Sequence, residues 1–205
     1  MSKNEIMFKV ITLGDSGVGK TSIIRRYANN IFDENVLSTV GVGFAFKEVE
    51  LSNKKKIKLK LIDTAGQEKF KSLAKSYFKN VDGVLFVYSF EILESFQNLK
   101  EWIKLFNSNH YGKNGIPMFL VGNKSDLEEK DDVENNEKLV KEFLNEYKDL
   151  KYYKTSAKKD ISINELFKEL AEKIFAAYGK GGVHTQNSQL LKNFDEEKKQ
   201  HCKQC

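Results

Sequence analysis

Apolar residues along this chain fall into two kinds of run that alternate with each other. Short, nearly continuous runs at residues 6–13, 83–89 and 116–122 predict strands buried on both faces. Residues 44–51 and 56–62 predict two further strands joined by Ser52-Asn53; the second alternates Ile57, Leu59 and Leu61 with lysines, a half-buried pattern. A sixth, short strand is predicted at 151–155. Between these runs the apolar spacing turns helical. The first helix, 21–29, buries Ile23, Ile24 and Tyr27; others follow at 69–79, 95–107 and 133–147. The last helix carries Ile163, Leu166, Phe167, Leu170 and Ile174 on one face, with Ser162 and Glu165 as a capping-box pattern and Gly179 as a stop. Residues 29–43 hold no sustained period and predict a loop.

Strands alternating with helices predict an α/β fold: a mostly parallel six-stranded sheet with helices on both faces. Beyond Gly179 the pattern ends. Residues 1–179 therefore form one predicted domain and 180–205 a polar, mobile tail.

Composition changes this picture little. With 40% hydrophobic residues the 205-residue chain can build a full core. The net charge is +5, but lysines and acids alternate, which argues for a solvated surface over a nucleic-acid footprint. Lys54-Lys55-Lys56-Ile57-Lys58-Leu59-Lys60 is the exception, and its alternation predicts lysines facing water on a strand, where they also block edge pairing. The polar start Met1-Ser2-Lys3-Asn4-Glu5 is not expected to be a secretory segment, and Ser2 stands where myristoylation needs glycine. No apolar run is long enough to cross a bilayer. The only cysteines are Cys202 and Cys205, which suits a reducing cytosol.

Candidate chemistry sits where the predicted strands end. Gly14-Asp15-Ser16-Gly17-Val18-Gly19-Lys20-Thr21 matches G-x-x-x-x-G-K-[ST] between a strand and a helix, the setting of a phosphate-cradling loop. Its glycines let backbone N–H groups converge, and the helix N-terminus adds positive potential. Lys20 can reach β- and γ-phosphates, and the Thr21 hydroxyl can hold Mg²⁺. Asp63, in Asp63-Thr64-Ala65-Gly66-Gln67-Glu68, is placed to reach the same ion; the competing use is a helix N-cap. Gly66 can bring a backbone N–H to a γ-phosphate, and Gln67 can orient an attacking water. Asn123-Lys124-Ser125-Asp126 addresses the base. One carboxylate, Asp126, accepts both N1–H and N2–H₂ of guanine, a pair that adenine cannot offer. Asn123 can tie neighbouring loops together, and the Lys124 stem can lie over the base. In a parallel sheet, motifs at the carboxyl ends of strands gather on one edge, so these distant segments converge.

In their order, GDSGVGKT, Thr39, DTAGQE, NKSD and TSAK resemble the motif set of the Ras superfamily of small GTPases, over residues 8–178. The resemblance implies the P-loop NTPase (small G-protein) fold. It also implies GTP/GDP and Mg²⁺ as ligands. Nucleotide contacts would come from Asp15, Ser16, Gly17, Val18, Gly19, Lys20, Thr21 and Ser22, and from Gly66, Asn123, Lys124 and Asp126. Thr39 corresponds to the switch threonine that binds Mg²⁺ and senses γ-phosphate, and Phe32 to the aromatic beside guanine. Ser156, Ala157 and Lys158 correspond to the segment that recognises guanine O6. Mg²⁺ would thus take Thr21, Thr39 and Asp63.

Within the superfamily the chain is most similar to the Rab branch, through Ser38-Thr39-Val40-Gly41-Val42-Gly43-Phe44, the segment from Lys60 to Glu68, Gly83-Val84-Leu85-Phe86-Val87-Tyr88 and a tail with two cysteines. It departs from that pattern at Gly43, where Rabs carry Asp, at Ile62 (Trp), at Ser89 (Asp) and at Val36 (an aromatic residue). None of these touches the phosphate or base set, but all bear on partner choice.

The implied activity is hydrolysis of GTP to GDP and phosphate, in a Rab-like regulator of vesicle traffic. Two loops, 32–43 and 66–77, would order around γ-phosphate and relax afterwards. Arg25 and Arg26 are the only arginines, and neither lies in those loops, so slow turnover accelerated by a partner is expected. The implied partners are effectors, an exchange factor and a GTPase-activating protein at the switch loops, and a GDP-dissociation inhibitor and a membrane at the tail. A monomer without nucleic-acid partners is expected, on the cytoplasmic face of an intracellular membrane and cycling with cytosol. The Rab-like tail implies prenylation of both Cys202 and Cys205; the alternatives fit less well, since Lys203 and Gln204 do not suit a C-a-a-X box and no second cysteine pair exists to complete a metal site. Other readings are a nucleotide-locked recruitment module that turns over slowly, a Ras-like signalling GTPase, and a P-loop kinase or ATPase, the last opposed by Asn123 and Asp126.

Overall fold

The computed structural model describes residues 6–35, 38–39, 41–66, 74–110, 115–129 and 132–179. Six strands form a single sheet. They are β1 (Met7–Leu13), β2 (Val42–Glu50), β3 (Lys56–Thr64), β4 (Gly83–Ser89), β5 (Met118–Asn123) and β6 (Leu150–Lys154), in the order β2-β3-β1-β4-β5-β6. All pairings are parallel except β2 with β3, the hairpin at one edge.

Strands buried on both faces divide their side chains between two cores. On one face Val10, Leu61, Leu85 and Val121 meet α1 (Lys20–Asn29) and α5 (Ile163–Gly179). Tyr27 of α1 stacks on Phe167 of α5 at 4.0 Å between ring centroids. On the other face Ile11, Ile62, Val84, Phe86 and Leu120 meet α3 (Leu99–Asn109) and α4 (Val133–Glu146). A short α2 (Leu93–Gln97) precedes α3. This is the α/β fold with helices on both faces of a mostly parallel sheet.

Element ends differ from the pattern in ways with physical causes. β3 runs two residues past its apolar alternation, because Asp63 and Thr64 keep pairing with Gly43 and Val42. β5 starts after Pro117, which has no N–H to donate to a ladder. The predicted 95–107 helix is two helices with Asn98 between them. Ser162, read as opening a capping box, takes a left-handed φ of 56° and uses its carbonyl to accept the Leu166 amide at 3.1 Å. The lysine-rich strand is not an edge: β3 lies between β2 and β1, so its lysines do not guard against edge pairing. Lys60 and Lys58 lie instead over the rings of Phe44 and Phe46 on β2. Residues 69–73 of the predicted 69–79 helix lie outside the described residues, as does everything beyond Gly179; of its described part only Ala74 and Lys75 are helical, and the chain turns from Ser76 onward.

Candidate functional site

The carboxyl ends of β1, β3, β4 and β5 share one edge of the sheet, and a cavity of about 440 Å³ opens there. Separated stretches of the chain line it, among them Gly19 to Ser22 of the glycine loop and α1, Phe32 to Glu34 with Thr39, Thr64 with Gly66, Asn123 with Asp126, and Ala157 with Lys158.

The loop backbone is shaped for close approach. Gly19 has φ 93°, and a Cβ there would stand 2.3 Å from Asn123 Nδ2. A Cβ at Gly66 would stand 2.2 Å from the Asp15 carbonyl carbon. Only glycine lets the loop, the β3 end and the β5 end meet this closely.

Lys20, the first residue of α1, is buried. Its ammonium donates to the carbonyl oxygens of Gly14 at 2.9 Å and Asp15 at 2.6 Å. Burial pushes its pKa down to about 8, against the opposing pull of Asp63 and Asp15. The ammonium is held at the loop without a full counter-charge, which suits an anion.

Asp63 lies beneath the loop at the end of β3. Its Oδ2 accepts the Thr21 hydroxyl at 2.7 Å, and Thr39 Oγ1 lies 2.7 Å from Thr21 Oγ1 and 3.5 Å from the same carboxylate oxygen. Its Oδ1 is buried with no hydrogen-bond partner. Burial raises the carboxyl pKa, opposed by the Thr21 hydroxyl and the Lys20 charge. An orphaned carboxylate oxygen beside two hydroxyls is a hard-oxygen donor set, and it fits Mg²⁺.

The other end of the cavity is tightly bonded to itself. Asn123 Nδ2 donates to the Val18 carbonyl at 2.9 Å, and its Oδ1 accepts the Ala157 amide at 3.2 Å. Asp126 accepts the Ser156 hydroxyl, and Ser156 Oγ also accepts the Lys159 amide at 3.0 Å. Lys124 pairs with Glu91, and Lys158 with Glu34 at 2.6 Å across the cavity mouth.

Two of the expected contacts do not point into the cavity as side chains. Val18 is fully buried in the core, and the Asp15 carboxylate turns toward α3. The Asp15 backbone carbonyl accepts the Lys20 ammonium, and that of Val18 accepts the Asn123 side-chain amide. Gln67, Cys202 and Cys205 lie outside the described residues.

Other residues here carried no sequence motif. Arg26 Nε donates to the Ala157 carbonyl at 2.9 Å, and its guanidinium lies 5.8 Å from the centre of the Phe32 ring. Asn98 and Trp102 hold the Asp15 carboxylate. Trp102 was indistinguishable from an ordinary core residue; only the Asn98–Trp102 spacing of one helical turn placed both on one face.

The sequence model of the Ras family matches residues 9–176. The chain belongs to the Ras family. Among similar proteins, Ras-related protein Rab-13 of Mesocricetus auratus is 36% identical over 201 residues, covering 96% of this chain and 95% of the relative. Ras-related protein Rab-10 of Diplobatis ommata is 37% identical over 172 residues, 83% of this chain and 82% of the relative. Ras-related protein Rab-30 of Homo sapiens is 37% identical over 171 residues, 83% of this chain and 81% of the relative. The protein is thus a Rab-like small GTPase, a GTP-binding switch of the kind that regulates vesicle traffic, and it hydrolyses GTP.

Proposed function

We propose that the cavity at the sheet edge is the guanine-nucleotide site of this GTPase and that residues 1–179 form its working domain. The orphaned Asp63 Oδ1 beside Thr21 and Thr39 is the observation that carries this reading. Thr21, Thr39 and Asp63 would hold Mg²⁺, which when bound neutralises charge on the β- and γ-phosphate oxygens. Residues 14–22 receive the phosphates through backbone N–H groups, and Lys20 turns from the Gly14 and Asp15 carbonyls to the anion. Gly66 presents its N–H to the γ-phosphate. Gln67 orients the attacking water and so is the catalytic side chain.

At the base, Asp126 accepts the two guanine donors, with Ser156 holding its other edge, while Asn123 ties the phosphate loop to residues 155–157. Lys124 and Phe32 cover the two faces of the base, and the Ala157 and Lys158 amides address O6. Thr39 and Gly66 link nucleotide state to residues 32–43 and 66–77, the surfaces for effectors, an exchange factor and a GTPase-activating protein.

Both arginines support slow intrinsic turnover. Arg26 is engaged with the Ala157 carbonyl, and Arg25 lines an adjoining cavity between α1 and β2 that shares Thr21, Asp33 and Thr39 with the first and includes Asp63. Neither lines the nucleotide cavity, so a partner supplies the missing positive charge, an effect on the order of 10³–10⁵ in rate. Phosphate release measured with and without a cell extract tests this. Gln67→Leu retains nucleotide and loses the stimulated rate; unchanged stimulation removes Gln67 from the reaction.

Among the described residues no helix is long and apolar enough to cross a membrane. Attachment in this reading comes from residues 180–205. Lys180, Lys192, Lys198, Lys199 and Lys203 are partly offset by Asp195, Glu196 and Glu197, too weak a basic patch to supplement one lipid. Prenyl groups on both Cys202 and Cys205 anchor the chain to an intracellular membrane, and a GDP-dissociation inhibitor extracts it into cytosol. Intact mass of protein from its own cells shows two prenyl additions; one or none rejects the double anchor.

A further inference from the structure

One partly buried side-chain cluster at the start of the phosphate loop has no part in the chemistry above, where only the loop backbone acts. Asp15 Oδ1 accepts the Trp102 indole N–H at 2.7 Å, and its Oδ2 accepts the Asn98 amide at 2.8 Å. The two donors are one helical turn apart, Asn98 at the junction of α2 and α3 and Trp102 within α3. Trp102 has 0% of its surface exposed and sits in the core formed with Leu99, Ile103 and Phe106. A buried indole N–H requires an acceptor, and a carboxylate gives it a charge-assisted bond.

What makes this more than a satisfied core residue is the position of Asp15. Its side chain is fixed by α3, while its own carbonyl accepts the Lys20 ammonium at 2.6 Å. The same peptide carbon and oxygen lie 2.2 and 2.3 Å from where a Gly66 Cβ would stand. One residue therefore meets the helix, the phosphate-binding lysine and the end of the 63–66 segment. It stands at the start of a loop with positive φ at Gly14, Gly17 and Gly19, whose freedom must be restrained from outside.

We propose that Asn98 and Trp102 are positioning residues for the phosphate loop: by gripping the Asp15 carboxylate they hold the loop, and through its carbonyl Lys20, in the geometry that receives phosphates. The proposal rests on the nucleotide reading of the cavity. It has a spectroscopic consequence, since Trp102 is the only tryptophan in the chain and its emission reports the grip directly.

The test uses the full chain in Mg²⁺, loaded with fluorescently labelled GDP and chased with unlabelled GDP. Melting temperature and tryptophan emission are recorded in parallel. Trp102→Phe keeps an aromatic ring in the core and deletes the N–H. Asp15→Asn turns an amide against the Asn98 amide, and adding Asn98→Asp restores a donor–acceptor pair in the opposite sense. Both single variants release GDP about tenfold faster or more, the scale of one charge-assisted hydrogen bond. Asp15→Asn shifts the emission of Trp102, and the swapped double variant recovers both the slow release and the emission. Single variants that release GDP within about twofold of the wild type overturn the proposal. So does a swap that recovers neither property while the melting temperatures fall together, because that is packing loss alone. A wild-type chain that takes up no labelled GDP refutes the nucleotide reading itself; uptake with unaltered release in the variants refutes only the grip.

Discussion

The two ends of the cavity solve opposite electrostatic problems. Around Asn123, Asp126 and Ser156 the polar groups are bonded to one another and to the backbone of two separate segments, at Val18 and at Ala157. Around Lys20 and Asp63 the bonding is incomplete: the ammonium is desolvated although it donates to two carbonyls, and one of the two Asp63 carboxylate oxygens is buried without a partner. The first arrangement is finished by the protein alone and so holds a fixed shape for selecting a base. The second carries an electrostatic cost that an anion and a cation together relieve. In the proposed reading, selection of the base falls to the first end and response to the phosphates to the second.

Mutations at the two ends should therefore fail in different ways. The largest effect is expected at the finished end. Asp126→Ala removes the acceptor that distinguishes guanine, so the preference for GTP over ATP in competition binding falls by on the order of 10⁴. At the unfinished end Lys20→Met removes the buried ammonium. GDP affinity drops by about 100-fold or more, while the ligand-free protein melts no lower, since a desolvated charge has been replaced by an apolar chain of similar length. Gly19→Ala joins the two ends, because its Cβ collides with Asn123 and its φ is left-handed. It costs about 2–4 kcal/mol in urea unfolding and weakens both base selectivity and phosphate binding. The smallest effect is the most telling in sign. Asp63→Asn neutralises the orphaned carboxylate and raises ligand-free stability by about 1 kcal/mol, yet it lowers the Mg²⁺ dependence of nucleotide binding. A ligand-free loss of stability on Asp63→Asn would erase the contrast between the ends.

The same contrast explains what could be read from the chain before its fold was known. The α/β alternation was legible because β1, β4 and β5 are buried on both faces and write unbroken apolar runs, while α1 and α5 write one-sided stripes. The convergence of residues 14–22, 63–66, 123–126 and 155–158 followed from parallel topology, since such strands end on a common edge. Strand ends were less legible. β3 continues through Asp63 and Thr64 by backbone pairing with β2, which leaves no apolar signature. The break at Asn98 was hidden because Asn98 keeps helical angles while its side chain serves Asp15. Trp102 and Arg26 were illegible for a deeper reason. Each acts through a hydrogen bond to a residue more than 80 positions away in sequence, and no local spacing encodes such a contact.

The most direct test of the central claim is the melting temperature of the nucleotide-free full chain titrated with GDP or ADP, each with and without Mg²⁺. At about 100 times its Kd a ligand stabilises by about 2.7 kcal/mol, which for a domain of this size is roughly 5–10 °C. The account predicts that shift with GDP, a further rise when Mg²⁺ is added with it, and none with ADP at the same concentration. An equal shift with ADP, or a GDP shift indifferent to Mg²⁺, would contradict it.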